Sequence, residues 1–354
     1  MANRITIKEI AQLAGVNIST VSRALNPSTT YKVSSNQREK ILSLCNQYNY
    51  RPRVSARACA TGKSFHVGLM LGALTQDLAS PLQALFIKGV SSVLQANGYT
   101  LSILWAEEYP EKKDEVVRNF LMSQIADGYI LGAPLLTAQT METFSKSHPI
   151  LSFKGIHQKL DSDFYTLSFT PSIAIQKIWQ AMPNELKSNI IFTGPLSNNT
   201  DIKYDLFRKH SPKGSRIKSL FYPLQQSNVA FHYDYLCARN FFAQNYKQLL
   251  DTKLVICSSD LVAHAVCDQF TSQGKKVGVD VFVIGYDNLE STSPYPGKEA
   301  YLSTIDPHWE EAGRTSAKFI LDAIDNPDNK NLKNIQIESS FICRKSFPFN
   351  TEKK

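Results

Sequence analysis

Nine short apolar runs punctuate the chain from Phe65 onward: HVGLML (66–71), TLSILW (100–105), GYIL (128–131), PILSF (149–153), NIIFTG (189–194), IKSLFY (217–222), KLVICSS (253–259), VFVIGYD (281–287) and YLSTI (301–305). Most are separated by stretches of helical length, such as 81–97 and 260–273. Strands buried on both faces appear as continuous apolar runs, and alternation at this rhythm indicates βαβ units in parallel sheets with helices on both faces. Nine strands suggest two sheets, hence two lobes. Ligands of such folds bind beyond the carboxyl ends of the strands, which between two lobes becomes a cleft.

The first fifty residues follow a different pattern. Thr6-Ile7-Lys8-Glu9 fits a capping box, in which the Thr hydroxyl and the Glu carboxylate serve opposite orphan amides. Ile7, Ile10, Ala11 and Ala14 then recur at helical spacing on one face. Gly15 suits the positive φ of a tight turn. Asn17 is a good N-cap for a second helix, in which Val21 and Leu25 lie one turn apart and can face the first. Ile18, Ser19, Ser22, Arg23 and Asn26 fall on its opposite face. A third helix starts at Ser34, with Gln37 at N3, and runs through Ile41, Leu42, Leu44, Cys45 and Tyr48. Helices this short are not stable alone and must share a core. Three of them with a polar stripe facing outward form a helix-turn-helix, and the stripe is shaped for a major groove.

Charge agrees with that assignment. Residues 1–63 carry ten Lys/Arg against Glu9 and Glu39, whereas the acids and bases of residues 64–354 balance, so the whole formal charge of +8 sits at one end. A basic module joined to a neutral body is the electrostatic footprint of nucleic-acid binding. No apolar run approaches eighteen residues, and Arg4, Lys8 and Glu9 interrupt the N-terminus, so neither a membrane span nor a signal peptide is expected. The six cysteines (45, 59, 237, 257, 267, 343) never form C-x-x-C, which argues against zinc or a disulfide framework and suits a reducing cytoplasm.

T-I-K-E-I-A-Q-L-A-G-V-N-I-S-T-V-S-R-A-L-N, then V-S at 33–34 and Y-x-P at 50–52, resembles the N-terminus of LacI/GalR-family transcriptional regulators. The resemblance implies that Ile18, Ser19 and Arg23 meet base edges, while Thr6, Asn17, Thr20, Ser22, Asn26 and Tyr31 set register on phosphates. Arg23 can bond bidentately to guanine, and Ile18 can offer apolar contact to a thymine methyl. Phosphate contacts position the module without encoding sequence. Residues 51–63 hold Pro52 as a helix start and Gly62 as a stop. In the family this segment is a hinge helix that pairs with its two-fold mate in the minor groove, where Arg53, Ala56, Arg57 and Cys59 would act. Cys59 stands where a leucine commonly wedges between base pairs, which implies a weaker kink or a different central step.

The likeness continues through "ADGYIL", "CSSDLVAHAV", "VIGYDN", "LSTID…EEAGR" and "FICRKS". It implies an all-α helix-turn-helix head on an α/β core of two periplasmic-binding-protein-like, Rossmann-type lobes. The expected divisions are a head at 1–50, a hinge at 51–63 and a core at 64–347. Within that core the first lobe would take 64–165 and 305–332, and the second 166–304 and 333–347. The implied partners are a palindromic double-stranded operator, a sugar-like small-molecule effector and a second copy of the chain, with no membrane and no cofactor. No leucine heptad follows Ser346, so a dimer is expected rather than a tetramer.

By the same likeness the effector would meet Leu82, Gln83, Lys154, Lys203, Ser259 and Asp287. The family's usual Arg, Asn and aromatic pair are here Lys203, Ser259 and Leu82-Gln83. Two lysines suggest an anionic effector such as a uronate, sugar acid or sugar phosphate. The alternative is that Lys154 pairs with Asp287 or faces solvent. Trp105 and Trp179 are expected in the core, and Trp309, near a lobe crossing, is open to either role. G-x-S-x-G, Walker A, H-E-x-x-H and G-x-G-x-x-G are all absent, so no enzyme is expected. The rival reading, a non-regulatory sugar-binding protein or an α/β sugar enzyme, would need a secretory segment in place of 5–26 or a catalytic constellation in the cleft.

Overall fold

The computed structural model describes residues 5–25, 32–51, 58, 61–71, 80–105, 113–123, 125–132, 144, 148–156, 165–223, 233–291, 299–327, 329 and 334–349. The chain divides into two compact units, Met1–Phe65 and His66–Lys354.

In the first unit, helices α1 (Ile7–Ala14), α2 (Ile18–Leu25) and α3 (Ser35–Gln47) form one small core. The Thr6–Glu9 capping box opens α1, and Gly15 closes it at φ 70. Asn17 starts α2 through its carbonyl, which accepts from the Thr20 and Val21 amides. Ser34 caps α3 through the Gln37 amide. Ile10, Ala11, Ala14, Val21, Ala24, Ile41, Cys45 and Tyr50 are buried together. Two details differ from expectation. Ala24 is buried while Leu25 packs at the margin, and Tyr48 is exposed at the helix end, leaving Tyr50 to enter the core.

Lys40 on α3 donates from Nζ to the Ala14 carbonyl at 3.0 Å, so a cation meets the negative end of α1. Lys40→Met is therefore expected to loosen the last turn of α1 by about 0.5–1 kcal/mol. Hydrogen exchange of the Ala14 and Gly15 amides should quicken by a small factor, with the α2 amides unchanged.

The second unit contains two six-stranded sheets. The first runs β11 (Ile335–Glu338), β5 (Tyr165–Thr170), β4 (Ile150–Ile156), β3 (Gly128–Gly132), β1 (His66–Leu71), β2 (Thr100–Trp105), all parallel. The second runs β12 (Ser340–Ile342), β10 (Ser303–Asp306), β9 (Phe282–Tyr286), β8 (Leu254–Cys257), β6 (Ile190–Pro195), β7 (Ile217–Tyr222), parallel except for β12. All nine apolar runs are strands. β5, β11 and β12 were not among them, because alternation such as that of Ile335–Glu338, half-buried and exposed in turn, leaves no continuous apolar run.

These extra strands move the lobe crossings. β5 and β11 both belong to the first sheet, so the chain leaves it after Thr170 rather than near 165, and leaves it again at Ser339 rather than near 332. The remaining crossing follows Asp306, two residues beyond 304. The crossing segments are bonded to one another: the Ser339 amide donates to the Thr170 carbonyl at 3.1 Å, and Asp306 pairs with Ser340. The helix Trp309–Asp325 then returns to the first lobe and packs on the helix Pro81–Ala96. A Cβ on Gly89 would lie 2.1 Å from the Glu310 carbonyl oxygen, and one on Gly313 2.2 Å from that of Phe86, so the two backbones meet directly. No helix among the described residues is long and apolar enough to cross a membrane.

Candidate functional site

On α2 the buried Val21 and Ala24 fix which face turns outward. Ile18, Ser19, Ser22 and Arg23 are exposed, Ile18 by 47%, and Thr20 is half-buried. Asn17 lies exposed at the start of the same helix. Thr6 is engaged elsewhere: its hydroxyl donates to Glu9 Oε2 at 2.8 Å and its amide donates to the same oxygen at 2.7 Å. Asn26 and Tyr31 lie outside the described residues, as do Arg53, Ala56, Arg57 and Cys59. At the end of that segment Ala58 and Thr61 are helical, and Gly62 takes φ 70 with its amide on the Ala58 carbonyl at 2.8 Å. A left-handed glycine there is a helix stop.

In the core, the carboxyl ends of β8 and β9 gather a buried charged group. Lys203, on the helix Asn198–Lys209, is only 6% exposed. Its ammonium donates to the Ser258 carbonyl at 2.6 Å and stands 3.7 Å above the Tyr286 ring. Burial pulls the Lys203 pKa down, and Asp287, Asp260 and Asp234 pull it back up. Asp287 directly follows β9 with φ 114. Burial pushes its carboxyl up to about 8, against the pull of Lys203. Asp260 is fully buried, and burial pushes it up to about 6; it accepts from the Thr304 hydroxyl at 2.6 Å and the Leu289 amide at 2.7 Å. Asp234 is likewise raised by burial.

The pocket residues anticipated from the sequence separate into three groups. Lys203 and Asp287 are brought together. Ser259 is the N-cap of the helix Asp260–Ser272, and its hydroxyl accepts from the Val262 amide at 3.3 Å, a helix-capping task. Leu82 and Gln83 are buried in the first turn of the helix Pro81–Ala96, behind Ser80, whose buried hydroxyl has no partner among the described residues. The backbone of Lys154 lies in β4, but its side chain falls outside the described residues, and so does its pairing with Asp287. Asp287, Asp260 and Asp234 all act on Lys203, and burial holds protons on them above the ordinary carboxylate range, so counting lysines alone does not give the charge of the site.

Trp309 begins the helix that follows the crossing at Asp306. Its ring lies 5.5 Å from Phe153 and 4.9 Å from Phe169, both on the first sheet. Its indole N–H is buried without an acceptor among the described residues. Such a donor is costly to leave unmet. Trp179 is core, donating to the Phe207 carbonyl at 3.3 Å. Sequence reasoning missed Asp234, Asp260 and Tyr286. The acid of S-S-D was the visible signal for Asp260, whereas nothing local marks Asp234. No metal-ligating group of His, Cys, Asp or Glu occurs among the described residues.

Comparison with known proteins adds to this. The family model described as bacterial regulatory proteins, lacI family, matches residues 6–53, and that of a periplasmic binding protein-like domain matches residues 205–347. The chain is 24% identical over 335 residues to the HTH-type transcriptional repressor PurR of Vibrio vulnificus (strain CMCP6), covering 92% of this chain and 93% of that one. It is 24% identical over 343 residues to the ribose operon repressor of Haemophilus influenzae, covering 96% and 98%. Among solved structures, the lac repressor dimer bound to operator and the anti-inducer ONPF aligns with a TM-score of 0.72 at 19% identity, over 98% of this chain and 100% of that one. A complex of the transcriptional regulator CelR with cellobiose aligns at 0.63, also 19% identical, over 97% and 100%.

Proposed function

As this chain belongs to the lacI family of bacterial regulatory proteins, we propose that it is a cytoplasmic, nucleoid-associated homodimer repressing carbohydrate-use genes, released or engaged by a neutral sugar. It is a DNA-binding transcriptional regulator, and members of its family are regulators rather than enzymes. The proposed working parts are a head at 1–50, a hinge at 51–63 and an effector core at 64–347.

The observation that carries the reading is the outward stripe of α2. Ile18, Ser19, Ser22 and Arg23 are exposed on a helix whose other face is locked by Val21 and Ala24. Two such heads on a dimer read two half-sites related by a dyad, hence a palindromic operator. Thr20, Ser22, Asn26 and Tyr31 fix register on phosphates. Thr6 contributes through the helix end it caps, and Arg53, Ala56, Arg57 and Cys59 enter the central minor groove.

The charge balance around Lys203 favours a neutral polyhydroxylated ligand over an anion. Carboxylates accept from sugar hydroxyls, an ammonium donates to sugar oxygens, and an aromatic ring such as Trp309 covers an apolar sugar face. Leu82 and Gln83 complete the wall contributed by the first lobe. That one relative is named a ribose operon repressor and one neighbour holds cellobiose fits this class.

The test is footprinting of the purified protein on its own promoter region, repeated across a panel of neutral sugars, sugar acids and sugar phosphates. A protected palindrome whose occupancy responds to neutral sugars supports the proposal. Protection without dyad symmetry, or a response confined to acids and phosphates, overturns it. Operator affinity should also fall with salt, with a log–log slope of about −0.9 per neutralised phosphate.

A further inference from the structure

Among the described residues, three of the five non-glycine residues with positive φ are Asp287 (φ 114), Asn288 (φ 55) and His308 (φ 63). They flank the two elements that face the proposed ligand, the end of β9 with Asp287 and the start of the helix with Trp309. A non-glycine residue near φ 114 is strained, and such strain persists only where the surroundings over-determine it. Here they do. The Asp287 amide donates to the Ile305 carbonyl at 2.8 Å, the Asn288 amide to Thr304 Oγ1 at 3.3 Å, and the Leu289 amide to Asp260 at 2.7 Å.

The Asn288 side chain is gripped at both ends. Its amide nitrogen donates to Asp306 Oδ2 at 2.8 Å, and its oxygen accepts from Arg344 Nη2 at 2.6 Å. The other oxygen of Asp306 accepts the backbone amide of His308 at 2.7 Å, and the His308 ring lies 3.6 Å from the same carboxylate. Arg344 is itself fixed by donation to the Leu302 carbonyl at 2.8 Å.

We propose that Asp306 is a positioning residue of the effector site. Placed at the crossing between the lobes, its carboxylate clamps Asn288 on one side and His308 on the other, so the strained backbone that presents Asp287 and the helix start that presents Trp309 are held as one unit. Arg344 closes the clamp from behind. This rests on the effector reading above, because it assigns a purpose to the strain at Asp287.

Hydrogen–deuterium exchange on the full, unliganded chain tests it. In Asp306→Ala the amides of Asp287 and Leu289, which do not bond Asp306 themselves, should exchange at least tenfold faster, alongside His308. The Phe192 and Val255 amides in β6 and β8 should be unchanged. The reciprocal double variant Asn288→Asp with Asp306→Asn rebuilds the clamp with donor and acceptor exchanged, and should restore Asp287 and Leu289 to within about threefold of the parent protein. Acceleration at His308 alone, or a double variant that leaves Asp287 and Leu289 fast while β6 and β8 stay protected, overturns the proposal. If Asp306→Ala exposes β6 and β8 as well, the double variant alone decides. The measurement uses neither sugar nor DNA, so its failure leaves the regulatory reading intact, and failure of that reading leaves the clamp result standing.

Discussion

Replacing Arg23 with alanine is expected to weaken operator binding by about 30-fold or more while leaving the fold unchanged. A bidentate contact from Arg to guanine O6 and N7 is worth about 1–3 kcal/mol of discrimination. In a dimer on a palindrome the contact is made twice, so the expected loss is roughly 2–6 kcal/mol. Arg23 is exposed in the last turn of α2, and the head core of Ile10, Val21, Ala24 and Ile41 does not include it, so thermal unfolding of the head should shift little. The distinguishing measurement is affinity for the operator against affinity for unrelated duplex, across a salt series. A base-reading Arg23 gives a large loss on the operator, relaxed preference at one symmetric pair of positions and a nearly unchanged salt slope. A uniform loss on all DNA, with the slope reduced by about one per head, would instead make Arg23 a phosphate contact and move base reading to Ile18 and Ser19.

The parts of the molecule legible in the sequence are those fixed by neighbours along the chain. The Thr6–Glu9 capping box, the turn at Gly15 and the Ser34 cap each depend on residues within three or four positions, and each is in place. Strands buried on both faces were legible for the same reason, since a run such as IIFTGP shows its burial in its composition. β5 and β11 were not, because neither is a continuous apolar run, and β11 is placed only by pairing with β5 across more than 160 residues. That omission displaced the first lobe crossing by five residues and the last by seven. The bond from Lys40 to Ala14 spans 26 positions and leaves no local trace.

The pocket shows the same limit in electrostatic form. Lys203 was found by its place in a motif, but its charge environment was not. Asp234, Asp260 and Asp287 come from three separate elements, and only the fold brings them within reach of one ammonium. A sequence count of lysines against acids therefore leaves out the three acids that act on Lys203. Ser259 illustrates a further ambiguity, because a serine that begins a helix serves a cap as readily as a ligand.

Lys203→Met should be strongly destabilising at pH 8 and nearly neutral at pH 5. Asp287 and Asp260 have folded-state pKa values pushed up to about 8 and about 6, above the ordinary 3.8. Between the unfolded and folded values the native state holds protons that the unfolded chain has released, so stability falls as pH rises through that window. At pH 5 both carboxyls are largely protonated in the folded chain and need no counter-charge. Exchanging a desolvated ammonium for a methionine of similar length is then close to neutral. At pH 8 Asp260 is charged and Asp287 is about half so, and Lys203 is the cation set against them. Removing one partner from a buried pair costs about 3–5 kcal/mol, and the partial exposure of Asp287 lowers the expectation to about 3. Lys203 pulls the Asp287 and Asp234 carboxyls down, so without it both titrate still higher. Urea unfolding of the variant and the parent at pH 5, 6, 7 and 8 measures this directly. A loss of equal size at every pH would mean that Lys203 acts through its bond to the Ser258 carbonyl and its packing on Tyr286 rather than through its charge. The neutral-sugar assignment would then lose its electrostatic basis.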